Sequence, residues 1–149
     1  MVAQTVGVEV DSQRVRKLVA DLIKHLGNPR RAMDQIGSHL AAATIRRFQI
    51  ETAPDGKPWQ KSLRALADGG QTLTDKGHLR RSITHRVAAD GRSVDVGSNL
   101  VYAAIHQFGG QAGRGRSVTL PARPYLGIDG RSEDAIVRIG LNALIGPAT

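Results

Sequence analysis

The sequence has no cysteine and no long apolar run, and each absence excludes a class of protein. Without cysteine, neither a disulfide framework nor a cysteine-ligated zinc site is possible. No stretch approaches the ~20 apolar residues of a membrane span, and the start of the chain lacks the basic and apolar regions of a signal peptide. We therefore expect a soluble protein with no membrane contact, which folds in a reducing cytoplasm.

Aromatic residues are also scarce: the chain has only Phe48, Trp59, Tyr102, Phe108 and Tyr125. The core is therefore expected to consist mainly of Val, Leu, Ile and Ala. A length of 149 residues suits one compact domain covering 1–149, because a chain of this size buries most of its apolar surface. No internal repeat is visible.

The residues that usually carry chemistry are scattered. No two of the five histidines stand one helical turn apart as a zinc-binding pair would, and no serine is flanked by glycines as in a nucleophile elbow. The glycine-rich stretch 109–116 lacks the Gly-Lys-Ser/Thr of a phosphate-binding loop. We predict no catalytic residue, cofactor or metal, and hence a protein that is not an enzyme.

Positive charge is abundant and unevenly distributed. The net charge is +8, and the range Arg14–Arg92 holds 16 of the 21 basic residues against 7 of the 13 acidic ones. Such an excess attracts polyanions or acidic protein surfaces, although a solvated basic face explains it equally well. Arg114 and Arg116 lie in the glycine-rich stretch, where they suit contact with nucleic-acid phosphates or with a partner subunit.

Local patterns predict the first half of the chain. Alternating valines indicate a strand at 6–10. Asp11 or Ser12 then caps a helix whose apolar residues recur at three- and four-residue spacing until Gly27. Asn28 and Pro29 start a second helix, which runs to about Phe48 or Ile50.

The second half is predicted to contain shorter elements. Thr52–Gly77 reads as a long irregular segment, and 109–116 as a flexible loop. Asp90-Gly91 predicts a hairpin turn. The other expected elements are strands at 83–88, 93–97, 118–120 and 125–128, a short helix from Asn99 or Leu100 to Phe108, and a last helix capped by Ser132. Together these elements predict an α+β fold in which helices pack on a small, mostly antiparallel sheet.

Five residues are candidates for contact with a partner: Trp59, Arg114, Arg116, Arg123 and Tyr125. Trp59 suits either a core anchor or an interface hot spot. In the segment Arg123-Pro124-Tyr125-Leu126, the prolines stiffen the chain while Tyr125 and Leu126 anchor it on the sheet or on a neighbour.

Four segments, taken in order, resemble the phage virion morphogenesis family. They are PDGKPW at 54–59, GHLRRSI at 77–83, VGSNLVYAAIHQFGG at 96–110 and PARPYLG at 121–127. The resemblance covers roughly residues 30 to 130. It implies a fold like that of tail terminator proteins, and it supplies no catalytic residues.

The resemblance implies a structural assembly protein of the virion, located at the tail end or neck and assembled in the host cytoplasm. The expected partners are copies of itself in a homo-oligomeric ring, for which a hexamer is one candidate, the tail tube protein, and neck or connector proteins. DNA is expected to pass nearby without being specifically bound. The alternative is a basic nucleic-acid-binding protein that acts during DNA packaging or ejection.

Overall fold

The computed structural model describes residues 12–146, so the predicted strand at 6–10 lies outside the described residues. Within that range the chain forms α1 (Gln13–Leu26), α2 (Arg30–Ile50), α3 (Leu63–Asp68), α4 (His78–Ser82), β1 (Thr84–Val87), β2 (Val94–Gly97), α5 (Ala103–Phe108), β3 (Gly110–Ala112), β4 (Val118–Leu120) and α6 (Gly130–Ile145). The predicted α+β class is confirmed, with helices and two small two-stranded sheets.

The described residues fall into two compact units. We call the one formed by Thr44–Ile83 and Gly97–Gly127 the motif unit. The other, the helical unit, comprises 12–43, Thr84–Val96 and 128–146. Helix α2 contributes residues to both. Whether 1–149 behaves as one domain stays a prediction.

The predicted start of α1 follows from local capping, whereas that of α2 is one residue too early. The Ser12 hydroxyl accepts a hydrogen bond from Val15 N, and Gly27, with a φ of 68°, ends α1. Helix α2 begins one residue later than predicted, because the carbonyl of Pro29 accepts the first helical hydrogen bond, from Met33 N at 2.9 Å. Its end at Ile50 agrees with the prediction.

The helical unit has the aliphatic core that the composition predicts. Six buried side chains from α1, α2 and α6 form its centre: Leu18, Leu22, Ala32, Met33, Ile36 and Ile136. Helices α1 and α6 approach closely at Gly140, where an added Cβ would lie 2.5 Å from both methyl carbons of Leu18. Arg14 on α1 pairs with Glu133 and Asp134 at the start of α6, each at 3.1 Å.

The predicted hairpin around Asp90-Gly91 is confirmed in the same unit. Strands β1 and β2 pair, Ala88 N donates to Ser93 O at 2.9 Å, and Gly91 has the positive φ of 72° that favours glycine. Arg30 holds the turn to α2 by donating to the carbonyls of Ala88 at 2.9 Å and Ala89 at 2.7 Å.

The centre of the motif unit is aromatic. The ring of Phe48 lies 5.5 Å from that of Trp59 and 5.2 Å from that of Tyr125, measured between centroids. Such tilted and edge-on pairs contribute beyond the apolar area that they bury. Three of the five aromatic residues are thus concentrated in one core, where the composition predicts mostly aliphatic side chains.

The prediction that Thr52–Gly77 is irregular is wrong for Leu63–Asp68, which form α3. The Ser62 hydroxyl caps this helix by accepting from Ala65 N at 3.1 Å, and Gly69 ends it with a φ of 73°. Helix α3 is six residues long, too short to show the apolar periodicity by which sequence patterns reveal helices.

The glycine-rich stretch is also more regular than predicted. Instead of a flexible loop, it contains β3, which pairs antiparallel with β4, and a 3₁₀ turn at Arg114–Arg116 between them. Gly109 and Gly113 have φ values of 74° and 78°, so these glycines shape the chain reversals around a hairpin. The predicted strand at 118–120 is confirmed.

Three boundaries in the second half differ from prediction. Helix α5 begins at Ala103, later than Asn99 or Leu100. The cap of α6 is Asp129, whose carboxylate accepts from the backbone N of Ser132 at 2.7 Å, and Ser132 itself is buried in the first turn. The stretch 125–128 is not a strand, because side chains, and not a neighbouring strand, form hydrogen bonds with the backbone of Tyr125 and Leu126.

Candidate functional site

The four segments that carry the family resemblance come together in the motif unit. Every residue of these segments except Val96 belongs to it, although they are spread along the chain from 54 to 127. Three features of this unit are candidates for the functional site: the buried segment 121–127, a cleft beside it, and the hairpin formed by β3 and β4.

The segment 121–127 is held by a glutamine in place of a neighbouring strand. The side-chain oxygen of Gln107 accepts from Tyr125 N at 3.0 Å and from Leu126 N at 2.9 Å. Its side-chain nitrogen donates to Leu126 O at 3.2 Å. These are the backbone groups that a strand ladder would otherwise pair, and all three bonds are buried.

Two further side chains fix the same segment. Arg47 on α2 donates to the carbonyls of Tyr125 at 2.9 Å and Gly127 at 3.1 Å. The indole nitrogen of Trp59 donates to Pro124 O at 2.8 Å. The motifs at 54–59 and 121–127 are thus joined directly, and Arg47 is a contributor that the sequence did not reveal.

Tyr125 is the most deeply enclosed member of this group. Its hydroxyl donates to the carbonyl of Ala103 at 2.6 Å, and burial raises the pKa of the phenol above its ordinary value. The ring is therefore held as a neutral, hydrogen-bonded core residue.

A cleft of about 520 Å³ opens beside this segment, and Arg123 and His106 lie in its wall. Arg123 donates from Nε to Gln60 O at 2.7 Å, and burial lowers the pKa of its guanidinium. The Nδ1 atom of His106 is buried without a hydrogen-bond partner among the described residues. Burial, and then the nearby charge of Arg123, lower the pKa of His106, so the imidazole is neutral at pH 7.

The β3–β4 hairpin lies on the surface of the unit. Arg114 and Arg116 are exposed in its turn and have no acidic partner within residues 12–146. Val118 on β4 and Phe108 just before β3 are exposed apolar residues. Since this sheet has two strands in the described part of the chain, each strand presents one edge without a neighbour.

The five predicted contact residues therefore occupy two environments. Arg114 and Arg116 are exposed, whereas Trp59, Arg123 and Tyr125 are 6%, 5% and 0% exposed. Trp59 and Tyr125 act as packing residues of the unit, so any effect of theirs on a partner would pass through the segment that they hold, whereas Arg123 also lines the cleft. Direct contact with a partner stays a prediction for all five.

Gln107 was missed because a single polar residue in a short helix carries no pattern of its own. Its one distinguishing mark is a polar side chain between Ile105 and Phe108, and that mark does not reveal what the amide binds.

Within residues 12–146, no group of three His, Cys, Asp or Glu side chains is arranged to hold a metal ion. No helix in the same range has the length and apolar character needed to cross a membrane.

Comparison with known proteins agrees with the resemblance. Residues 10–144 match the sequence model of the phage virion morphogenesis family. A protein of Escherichia phage Mu, named "Putative capsid assembly protein G", is 33% identical over 143 residues, which cover 87% of each chain. The Mu-like prophage FluMu G protein 2 of Haemophilus influenzae is 40% identical over 94 residues, or 63% of this chain and 62% of that protein. The match thus spans less than two thirds of that relative. No solved structure matches significantly.

Proposed function

Because this chain belongs to the phage virion morphogenesis family, we propose that it is a structural protein that forms a ring at the tail end or neck of the virion. The ring completes the tail tube on one side and meets neck or connector proteins on the other. No catalytic step is part of this role. The family match over residues 10–144 supports an assembly role, as does the similarity to a phage Mu protein named for capsid assembly.

The observation that carries the proposed mode of assembly is the exposed β3–β4 hairpin. A two-stranded sheet with accessible edges pairs readily with a strand of a neighbouring chain. When every subunit presents the same edges, head-to-tail pairing repeats until a ring closes. A single contact between strands of three residues is weak. The ring is therefore expected to be stable only when many such contacts form together on the tail.

The two arginines in the hairpin turn give this contact its charge preference. Arg114 and Arg116 are exposed and lack an intramolecular acidic partner in the described residues, so their guanidinium groups are available to carboxylates of an adjacent subunit. A DNA conduit works best when its wall does not grip phosphates. We therefore assign the pair to a protein partner.

The runner-up function is DNA binding during packaging or ejection, which the net charge of +8 favours. It makes a different prediction about salt. If the arginines contact phosphates, affinity for duplex DNA should fall steeply with salt concentration, because bound counterions are released on binding. The assembly role predicts weak DNA binding even at low salt, together with association with tails.

The assembly step can be identified by deleting the gene from the phage or prophage that encodes it and examining lysates by electron microscopy. The proposal predicts full heads that are not joined to tails, together with overlong or unfinished tails. Complete tails accompanied by empty heads would point to DNA packaging and would reject the tail-end role.

The hairpin contact is tested by the double substitution Arg114→Ala, Arg116→Ala. Because both side chains are exposed, the unfolding free energy should change by no more than about 0.5 kcal/mol. The yield of joined particles should nevertheless fall. Arg86→Ala, Arg92→Ala is the matched control, since it removes the same charge from exposed positions around the β1–β2 hairpin. Equal losses in both double variants would show that net charge, and not this hairpin, matters.

A further inference from the structure

The cleft of the motif unit has a basic lining that neither the hairpin nor the proposed ring explains. Its lining is basic: the ionisable residues there are Arg64, Asp75, Lys76, His78, His106 and Arg123. A single acid therefore faces three permanent cations and two histidines. A volume of about 520 Å³ lies within the range of pockets that bind small ligands or short peptide segments.

Arg123 is the cation that distinguishes this cleft from an ordinary basic surface. It is buried, and its one side-chain hydrogen bond in the described part of the chain is from Nε to Gln60 O. No carboxylate among residues 12–146 lies within 4.0 Å of it, whereas Arg64 already pairs with Asp68 at 3.4 Å. Burying a guanidinium without a counter-ion is costly, so an anion that enters the cleft would offset that cost.

His106 also indicates that the cleft suits an anion. Its buried Nδ1 has no hydrogen-bond partner within residues 12–146, and its ring packs edge-on against Tyr102 with centroids 6.1 Å apart. The charge of Arg123 disfavours protonation of this ring, and an anion placed beside the two would cancel that effect. Occupancy of the cleft should therefore be readable from the His106 imidazole.

The rest of the lining indicates which kind of anion fits. Leu73, Leu79, Leu120 and Tyr102 contribute apolar surface beside the basic groups. A nucleic-acid backbone is usually held by rows of exposed cations, whereas the most enclosed cation here is single and lies beside apolar walls. An acidic side chain flanked by aliphatic ones matches both parts, and a planar guanidinium binds a carboxylate through paired hydrogen bonds.

We propose that this cleft is the receptor for an acidic segment of a partner protein, with one carboxylate bound by Arg123 and flanking aliphatic side chains against Tyr102 and Leu120. The site requires neither Arg114 nor Arg116. Leu120 belongs to β4, so the site adjoins the hairpin, but its charged contact is separate from the hairpin turn, and Arg123→Gln and Arg114→Ala should therefore give separate defects.

The test uses the full chain, isotopically labelled for NMR, and a synthetic peptide of alternating Glu and Leu. Titration should shift the Arg123 Nε–H signal and raise the pKa of His106. The same peptide with Gln in place of Glu should bind at least about tenfold more weakly, because its amides cannot form the charge-assisted bonds. Equal binding of both peptides, or no binding of the Glu peptide, would overturn the proposal.

Two variants place the binding in the cleft. Arg123→Gln should weaken the Glu peptide at least about tenfold, while Arg114→Ala should leave its affinity unchanged. If Arg123→Gln does not fold, Lys76→Gln at the exposed rim should still weaken the peptide severalfold without changing the melting temperature. A short single-stranded oligonucleotide and inorganic phosphate serve as competing probes. Tighter binding of either one than of the Glu peptide would reject a protein partner.

Discussion

Replacing Gln107 with leucine removes the one side chain that pairs three backbone groups of the segment 121–127. The substitution keeps the volume and helix propensity of the residue nearly constant. It leaves Tyr125 N, Leu126 N and Leu126 O without partners in a region closed to water. The change therefore isolates hydrogen bonding from packing.

The expected magnitude follows from those three groups. A buried donor or acceptor without a partner costs about 1–3 kcal/mol, so three groups in the lower half of that range cost about 3–6 kcal/mol. Burying leucine in place of an amide returns part of this, and we expect a net loss of about 2–4 kcal/mol. For a chain of 149 residues this corresponds to a fall in melting temperature on the order of 10 °C.

Urea unfolding followed by circular dichroism measures this loss, with an unchanged m-value showing that the folded state stays compact. Gln49→Leu is the matched control, because Gln49 makes the same substitution possible on an exposed face of α2. It should change stability by no more than about 0.5 kcal/mol. If the two variants unfold at the same urea concentration, the glutamine does not support the segment as we argue.

Three further outcomes are expected. Tyr125→Phe removes the bond to Ala103 O and should cost about 1 kcal/mol in urea unfolding. Because burial raises the pKa of Tyr125, the folded state holds the phenol proton more tightly than the unfolded state does. The unfolding free energy should therefore decline as pH rises above about 10. Tyr125→Phe should lessen that decline. Gly140→Ala should lower the unfolding free energy by about 1–3 kcal/mol, because the added Cβ presses on Leu18. At Gly130 an added Cβ meets no atom of the described residues within 4 Å, so Gly130→Ala should leave the unfolding free energy unchanged or raise it by up to about 1 kcal/mol in the same urea assay.

The parts of the fold that the sequence predicts are those determined by neighbouring residues. Ser12 and Gly27 bound α1 through their own side-chain and backbone preferences, and Asp90-Gly91 sets the turn between β1 and β2. Each of these signals needs only a few adjacent positions. For that reason they survive without any knowledge of the tertiary structure.

The parts that were missed depend on partners far along the chain. Residues 125–128 look like a strand because Tyr125 and Ile128 are of types that favour strands, but Gln107 and Arg47 supply the hydrogen bonds that a strand would have made. Helix α3 was missed for a different reason, since its six residues are too few to show an amphipathic pattern.

The candidate site divides in the same way. The exposure of Arg114 and Arg116 follows from their charge, because arginine is rarely fully buried. The burial of Arg123 does not follow from its sequence neighbours, because charged residues are rarely enclosed and nothing local reveals the carbonyl of Gln60. The cleft that Arg123 lines was therefore invisible in the sequence.

The way in which the segment 121–127 is held also affects the order in which the chain folds. Arg47 is 78 residues from Tyr125, and Trp59 is 65 residues from Pro124. Contacts across such separations require large loops to close first, so they form late. Substitutions in this segment should then accelerate unfolding more than they slow refolding. How long the motif unit stays folded, and hence its resistance to host proteases before it enters a virion, depends on these few late contacts.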